Sequence, residues 1–160
     1  MIKNYLSVVD RLIEKFLRWG SIICLVSLLI LVSGNVIFRF IPILSMGWAD
    51  EIIEFFFAWM IFLCAANLWR ERSHFRVDLI PNRLANKKSG RNLEISLCIL
   101  ALFFFLVFSY EGGILSAKAT DRSPIMEWPR YLWYFVLPFS GGIIIVYTMR
   151  DLWHLIKKRF

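Results

Sequence analysis

The chain has 160 residues, of which 59% are hydrophobic, and it carries a formal net charge of +7. This composition is too apolar for a soluble domain, and the basic residues flank apolar runs instead of lining one soluble face, which argues against a nucleic-acid partner. Each apolar run has about 19 residues and reaches about 28 Å as a helix, close to a hydrocarbon core of about 30 Å. The predicted spans are 20–38, 52–69, 93–110, with an extension to 118 left open, and 131–148.

The first predicted element is an amphipathic helix at 3–18, ahead of the first span. Its apolar residues recur at helical spacing, opposite charged residues such as Glu14 and Arg18. This pattern is typical of a helix that lies in the inner headgroup layer or packs on a partner's helix at that level. The first loop is short and contains Pro42, so the first two spans are predicted to be antiparallel neighbours.

The later elements carry glycine and proline at positions that predict bends. The second loop is longer and basic, with a short helix predicted near 82–87. In the extension of the third span, Gly112 and Gly113 permit a bend. In the fourth span Pro138 predicts a kink, and the small residues at 140–142 predict a close approach to another helix.

The distribution of positive charge predicts the orientation of the chain. The N-terminal segment, the second loop and the C-terminal segment hold 15 of the 19 Lys and Arg residues, and the other two loops hold 4. The positive-inside rule therefore places both termini in the cytoplasm. The predicted fold is all-α and integral to the membrane, one domain of four transmembrane helices over 1–160, N-in and C-in, with an N-terminal amphipathic interfacial helix. The three cysteines are predicted to be free and buried: Cys24, Cys64 and Cys98.

Two carboxylates open the second span and admit two interpretations. Glu51 and Glu54 are three residues apart, so they are predicted to share one helical face, with Glu54 placed deeper in the membrane. Buried ionisable groups in membranes commonly mark proton or cation sites. The alternative is a structural acid that caps the helix N-terminus or pairs with a basic group on a neighbouring helix, and this reading is favoured.

Other polar residues in the spans favour packing roles. Trp59 is predicted to seat its indole N–H against a partner at a helix interface. His74 follows the second span and is read as a solvated or loop-fixing side chain, with a ligand or pH-sensitive role as the alternative. The sequence has no Cys-x-x-Cys, no glycine-rich phosphate loop and no pair of facing histidines. It therefore predicts no enzyme activity, no metal site and no cofactor.

Several short motifs, in this order, resemble the small membrane subunit of tripartite ATP-independent periplasmic (TRAP) transporters. The resemblance covers nearly the whole chain. The residues that carry it are Trp48, Ala49, Asp50 and Glu51 at the start of the second span, Trp59 within it, Arg72, His74 and Asp78 after it, and then Ser123, Pro124, Ile125, Pro129, Tyr134 and Pro138. Cys64, Ala65 and Ala66 stand where the family often has glycine, which puts the closest helix contact there in doubt.

The resemblance implies a partnership with other subunits in a bacterial inner membrane. A large membrane subunit would carry the sodium and substrate sites, and a periplasmic binding protein would deliver an organic acid, such as sialic acid or another sugar acid. The small subunit would bind no substrate. It would brace the large subunit within the lipid and help to dock the binding protein. Its candidate partner contacts are Trp48, Glu51, Glu54, Trp59, Arg72, His74, Asp78, Pro124, Pro129 and Pro138.

Two other functions remain open at this point. One is a homodimeric proton-coupled multidrug exporter that uses Glu54 or Glu51, although such exporters usually carry their acid in the first span and 20–38 contains none. The other is a structural four-span protein outside any transporter. The favoured prediction is the non-catalytic scaffold of a sodium-coupled transporter.

Overall fold

A computed structural model of the chain describes residues 2–40, 47–71 and 88–157, and the description below is confined to these ranges. The helices in them are α1 (Ile2–Arg39), α2 (Gly47–Arg70), α3 (Lys88–Lys118), α4 (Tyr131–Tyr134) and α5 (Val136–Lys157). The segments long and apolar enough to cross a membrane are Val8–Phe38, Gly47–Arg70, Asn92–Lys118 and Tyr131–Lys157. The four predicted spans each fall in one of these segments.

Helix α1 is one continuous helix where the sequence predicted two elements. Its 38 residues contain both the amphipathic segment 3–18 and the first span. The Ser21 hydroxyl donates to the Leu17 carbonyl at 2.7 Å, as a helical residue does, and Leu17 is fully buried. The amphipathic segment therefore continues into the first span without a break, and its place in the inner headgroup layer or on a partner's helix stays a prediction.

Helix α3 confirms the extension of the third span, because it ends at Lys118. The bend permitted by Gly112 and Gly113 does not interrupt it. A Cβ atom on Gly112 would lie 2.7 Å from the Cβ of Leu137, whereas one on Gly113 would meet nothing within 4 Å. Gly112 therefore permits close packing against the fourth span.

The fourth span is interrupted one turn before Pro138, as the sequence predicted for this proline. Helix α4 ends at Tyr134 and α5 begins at Val136, with Phe135 in a turn between them. Pro138 has no N–H to donate to the carbonyl four residues earlier, so the helical ladder is broken there. The predicted close approach is confirmed at Gly141, where a Cβ would lie 3.1 Å from the Cβ of Ser109 on α3.

The helices pack in the order α1, α2, α5, α3, so α2 and α5 occupy the middle and α1 and α3 the flanks. The predicted antiparallel pairing of the first two spans is confirmed. Rings also bridge non-neighbours, Phe16 with Phe139 and Trp69 with Phe105. The buried core lies where three helices meet and consists of Leu17, Leu63, Ala66 and Ile144.

The three cysteines form no disulfide, as predicted, but only one of them is buried. Cys24 is buried, Cys98 is intermediate and Cys64 is exposed. Cys64 lies next to the buried Leu63 on a helix whose other face packs on the core. The prediction was wrong for Cys64 because an apolar run does not reveal which of its faces meets another helix.

The 82–87 segment, for which a short helix was predicted, lies outside the described residues.

Candidate partner-binding site

A compact loop at 119–130 joins α3 to α4 and covers the N-terminal end of α2; we call it the outer loop. Its two arms pair as an isolated antiparallel bridge between Arg122 and Pro129. Ser123 closes the tip, because its N–H donates to the Trp128 carbonyl at 2.8 Å and its hydroxyl accepts the Trp128 N–H at 3.1 Å. Glu127 adopts a left-handed φ of 54° to make the reversal. The loop is therefore held by its own backbone hydrogen bonds.

Glu51 fastens the outer loop to α2. Its side chain is 9% exposed, and its two carboxylate oxygens accept the backbone N–H groups of Ile125 at 2.8 Å and Met126 at 3.0 Å. Hydrogen bonds to a charged acceptor contribute about 1.5–3 kcal/mol each. Gly47 allows the loop to approach, since a Cβ there would lie 3.1 Å from the Ile125 side chain. Glu51 is thus a structural acid, and its partners are backbone amides of the loop, neither its own helix end nor a basic side chain.

Glu54 does not join Glu51 in one site. Its side chain is exposed on the surface of α2, and within the described residues it has no hydrogen-bond or ion-pair partner. The neighbouring acid Asp50 instead accepts a hydrogen bond from the Asn35 amide of α1 at 2.9 Å. The two glutamates are neighbours on one side of α2, as predicted from their spacing, but Glu51 is a buried tether and Glu54 an exposed carboxylate, so they do not combine in one site.

The two tryptophans predicted as contacts differ in role. The Trp59 indole N–H donates to the Leu132 carbonyl of α4 at 3.1 Å, which confirms the predicted partner at a helix interface. Its ring lies between those of Phe55 and Phe139. Trp48 is 40% exposed at the start of α2. Trp59 therefore packs inside the chain, and Trp48 is open to a neighbour.

The prolines of the predicted motif are spread over the outer loop and α5. Pro124 is exposed at the tip of the loop, and Pro129 is half-buried in its returning arm. Pro138 is half-buried in α5, and its carbonyl accepts the Ser109 hydroxyl at 3.3 Å. The remaining predicted contacts, Arg72, His74 and Asp78, lie outside the described residues.

An ionic cluster at the opposite end of the bundle was missed by the sequence reasoning. Arg70, at the end of α2, donates to both carboxylate oxygens of Asp10, at 3.1 and 2.7 Å, and to Glu14 at 2.9 Å. The Tyr147 hydroxyl of α5 also donates to Asp10, at 2.7 Å. The Arg150 guanidinium lies 4.7 Å from the centroid of the Tyr147 ring. These five side chains, the inner cluster, join α1, α2 and α5.

A signal for the inner cluster exists in the sequence. Asp10 and Glu14 are the acids of an otherwise basic segment, and their i, i+4 spacing puts them on one side of a helix. A lone Arg70 closes the second span. Periodicity within α1 does not show how far α1 and α2 overlap, so the sequence predicts contact with the headgroup layer or a partner's helix and not with the chain's own bundle.

The described ionisable groups at both ends thus hold structure together. Glu51 fixes the outer loop on α2, and the Arg70 guanidinium of α2 pairs with Asp10 and Glu14 of α1. Side chains locked in this way suit a rigid framework. Outside these tethers the outer loop presents Ile125, 57% exposed, and Trp128, 40% exposed, as apolar surface at its tip.

Comparison with known proteins identifies the family. Residues 28–158 match the family described as tripartite ATP-independent periplasmic transporters, DctQ component. The chain belongs to this family. It is therefore a component of a transporter and not an enzyme, as the sequence predicted, and its apolar helices fit a multi-pass membrane protein.

Two curated relatives add detail. One is the isethionate TRAP transporter permease protein DctMQ of Oleidesulfovibrio alaskensis, 29% identical over 107 residues, which are 66% of this chain and 17% of that protein. The other is the C4-dicarboxylate TRAP transporter small permease protein DctQ of Rhodobacter capsulatus, 26% identical over 103 residues, 63% of this chain and 45% of that protein. The chain thus matches less than half the length of either relative.

Proposed function

We propose that the chain is the non-catalytic scaffold subunit of a sodium-coupled TRAP transporter that imports an organic acid across a bacterial inner membrane. It packs beside a large membrane subunit that performs the transport. The relative whose name joins DctM and DctQ supports this partnership, because the part of it that matches this chain is a fraction of a longer polypeptide. The names of the two relatives, for isethionate and for C4-dicarboxylate, support a small organic anion as the solute of the complex.

The observation that carries the scaffold role is the use of charge in the described residues. Buried or half-buried ionisable side chains at both ends of the bundle bind other elements of the same chain, as Glu51 and Arg70 do. A carrier that changes shape needs charged groups free to exchange partners with its solute or its coupling ion. Groups committed to internal tethers instead favour a part that stays fixed while another subunit moves.

The proposed function also includes the orientation of the chain in the membrane and a contact with the periplasmic binding protein. With both termini in the cytoplasm, as the charge asymmetry of 15 to 4 indicates, the outer loop faces the periplasm. Its tip then offers the exposed Ile125 and Trp128 to the periplasmic binding protein during solute delivery. Arg72, His74 and Asp78 follow α2 on the cytoplasmic side, and with Glu54 they remain candidate contacts to the large subunit.

Reconstitution separates this function from a self-sufficient exporter. The chain alone, the large subunit with binding protein, and all three components are placed in liposomes under an inward sodium gradient, and uptake of radiolabelled organic acid is followed. Uptake is expected with all three components and none with the chain alone. Sodium-dependent uptake by the chain alone would overturn the scaffold role.

A further inference from the structure

Three basic side chains form a row on the outward side of α1, which we call the basic ladder. Arg11, Lys15 and Arg18 follow one another at intervals of four and three residues, so they lie on one face of the helix and span about 10 Å along it. All three residues are exposed. Within the described residues none of the three forms a hydrogen bond or an ion pair. Their positive charge is therefore open to a ligand from outside the bundle.

The acids of the same segment of α1 are engaged on the opposite side of the helix. Asp10 and Glu14 lie 2.7 and 2.9 Å from the Arg70 guanidinium of α2. Because these acids pair with Arg70, they do not pair with the basic ladder. The outer loop differs, since its exposed Arg122 is accompanied by the exposed Glu127. Exposed positive charge without a neighbouring exposed acid thus distinguishes this segment of α1 from the outer loop.

The same face of α1 becomes apolar directly beyond the basic ladder. Ile22, Val26 and Leu29 continue the row from Arg18 at intervals of four and three residues, and all three are exposed; we call them the apolar stripe. Trp19, 61% exposed, lies at the junction of the two, and tryptophan favours the membrane interface. One face of α1 therefore presents positive charge for about two turns and then hydrocarbon for about two more.

We propose that this face of α1 binds an acidic phospholipid, with the phosphate on the basic ladder and an acyl chain along the apolar stripe. A phospholipid carries its charged headgroup and its hydrocarbon tails in the same order. Guanidinium groups bind phosphate oxygens through paired hydrogen bonds, and Lys or Arg near an anionic surface strengthens attachment to it. A soluble acidic protein would match the basic ladder but not the apolar stripe that follows it on the same face.

The lipid site is separate from the scaffold role and does not depend on it. The orientation with both termini in the cytoplasm assigns the lipid to the inner leaflet, because the basic ladder lies toward the N-terminal end of α1. Binding of lipid by the purified chain can therefore be measured without the other subunits, and its failure would leave the proposed function untouched.

Native mass spectrometry of the full chain tests the site. The delipidated chain is titrated in an uncharged detergent with dioleoyl-phosphatidylglycerol or with dioleoyl-phosphatidylethanolamine, and the dissociation constant of each lipid is measured. The ladder variant combines Arg11→Gln, Lys15→Gln and Arg18→Gln. The matched control removes three exposed bases elsewhere, by combining Lys118→Gln, Arg122→Gln and Lys157→Gln. A third variant, Arg11→Lys with Arg18→Lys, keeps the charge of the basic ladder.

The unmodified chain and the control are expected to bind phosphatidylglycerol about tenfold or more tightly than phosphatidylethanolamine. The ladder variant should bind phosphatidylglycerol roughly a hundredfold more weakly, about fivefold for each base removed, with an unchanged thermal midpoint. The charge-keeping variant should retain most of the preference. Equal affinity for phosphatidylglycerol in the ladder variant and the control would overturn the proposal, as would an unmodified chain with no preference between the two lipids.

Purification from native membranes separates a lipid from a protein as the occupant. The unmodified chain and the ladder variant are extracted in mild detergent, and the phosphatidylglycerol and proteins that accompany each are identified by mass. The ladder variant is expected to lose phosphatidylglycerol and to keep the same protein partners. Loss of a protein partner with phosphatidylglycerol unchanged would overturn the proposal and assign this face of α1 to that protein.

Discussion

Arg70 of α2 is bound to Asp10 of α1 at the inner cluster, and Asp10 also accepts the Tyr147 hydroxyl of α5. The Arg70 side chain is 14% exposed, and its partner acids are 37% exposed, so the pairs are neither fully buried nor fully solvated. Removal of a partner from a buried ion pair costs about 3–5 kcal/mol, while exposed pairs contribute about 0–1 kcal/mol. The loss of Arg70 falls between these limits, because Asp10 and Glu14 would remain beside each other without a cation.

An Arg70→Met variant is expected to lose about 1–3 kcal/mol of stability, measured as a lower thermal midpoint in detergent. Arg11→Gln, which removes an exposed arginine of α1, is the control and should leave the midpoint unchanged. The triple variant Asp10→Asn, Glu14→Gln, Arg70→Met should recover most of the loss, since it leaves no unpaired charge. Equal loss in the single and triple variants would show that Arg70 acts by packing alone.

Glu51 binds the outer loop, and the exposed Glu54 on the same helix provides a control substitution. Glu51→Gln keeps one acceptor oxygen and loses one of the two hydrogen bonds to Ile125 and Met126. The lost bond is worth about 1.5–3 kcal/mol, so the loop is expected to open more often. Because trypsin cleaves the open form, cleavage after Arg122 should be faster by about tenfold or more. Glu54→Gln should leave cleavage unchanged. Equal rates in both variants would remove Glu51 as the tether.

At the scale of helices, the contact between α3 and α5 depends on small residues at particular positions. Gly112 lies against Leu137, and Gly141 lies against Ser109. Lipid supplies little hydrophobic drive for helix association, so close packing of this kind carries much of the stability of a membrane bundle. Gly112 and Gly113 are adjacent in α3, but only Gly112 contacts α5. Substituting each in turn therefore distinguishes the effect of packing from the effect of helix propensity.

Gly112→Ala is expected to lower the thermal midpoint, because the new methyl group would lie 2.7 Å from Leu137 and overpacking costs about 1–3 kcal/mol. Gly113→Ala should leave the midpoint unchanged or raise it slightly, since its Cβ meets nothing and alanine favours a helix by about 0.5–1 kcal/mol. Thermal unfolding of both variants in one detergent decides the matter. A midpoint that rises in both variants would contradict the close contact.

The positions of most helices follow from the sequence, whereas the contacts between helices depend on their relative register. Apolar runs predict the spans because each has the length of a bilayer, and Pro138 predicts the interruption because it lacks a donor. The sequence predicts a hydrogen-bond partner for the Trp59 indole N–H, but it does not show that this partner is the Leu132 carbonyl. The pairs Asp10 with Arg70 and Glu51 with Ile125 join residues 60 and 74 positions apart. Such pairs require the relative height of two helices, which periodicity within one helix does not contain.

At the scale of the whole molecule, the chain is a broad framework with tethers at both ends. The inner cluster joins α1, α2 and α5, Glu51 holds the outer loop on α2, and Gly112 and Gly141 bring α3 onto α5. The outward faces of α1 and α3 carry exposed aliphatic and aromatic side chains such as Leu29 and Phe103, as lipid contact requires. In the proposed scaffold role, a framework of this kind would enlarge the stationary part of the transporter.

In the proposed function this chain works as one subunit beside a large transport subunit. Its most direct test is native mass spectrometry of the tagged chain purified in mild detergent from its own membranes, with peptide sequencing of whatever accompanies it. We expect a complex of one chain with one large polytopic membrane subunit of the DctM type. A homodimer of the chain, with no large subunit bound, would contradict it.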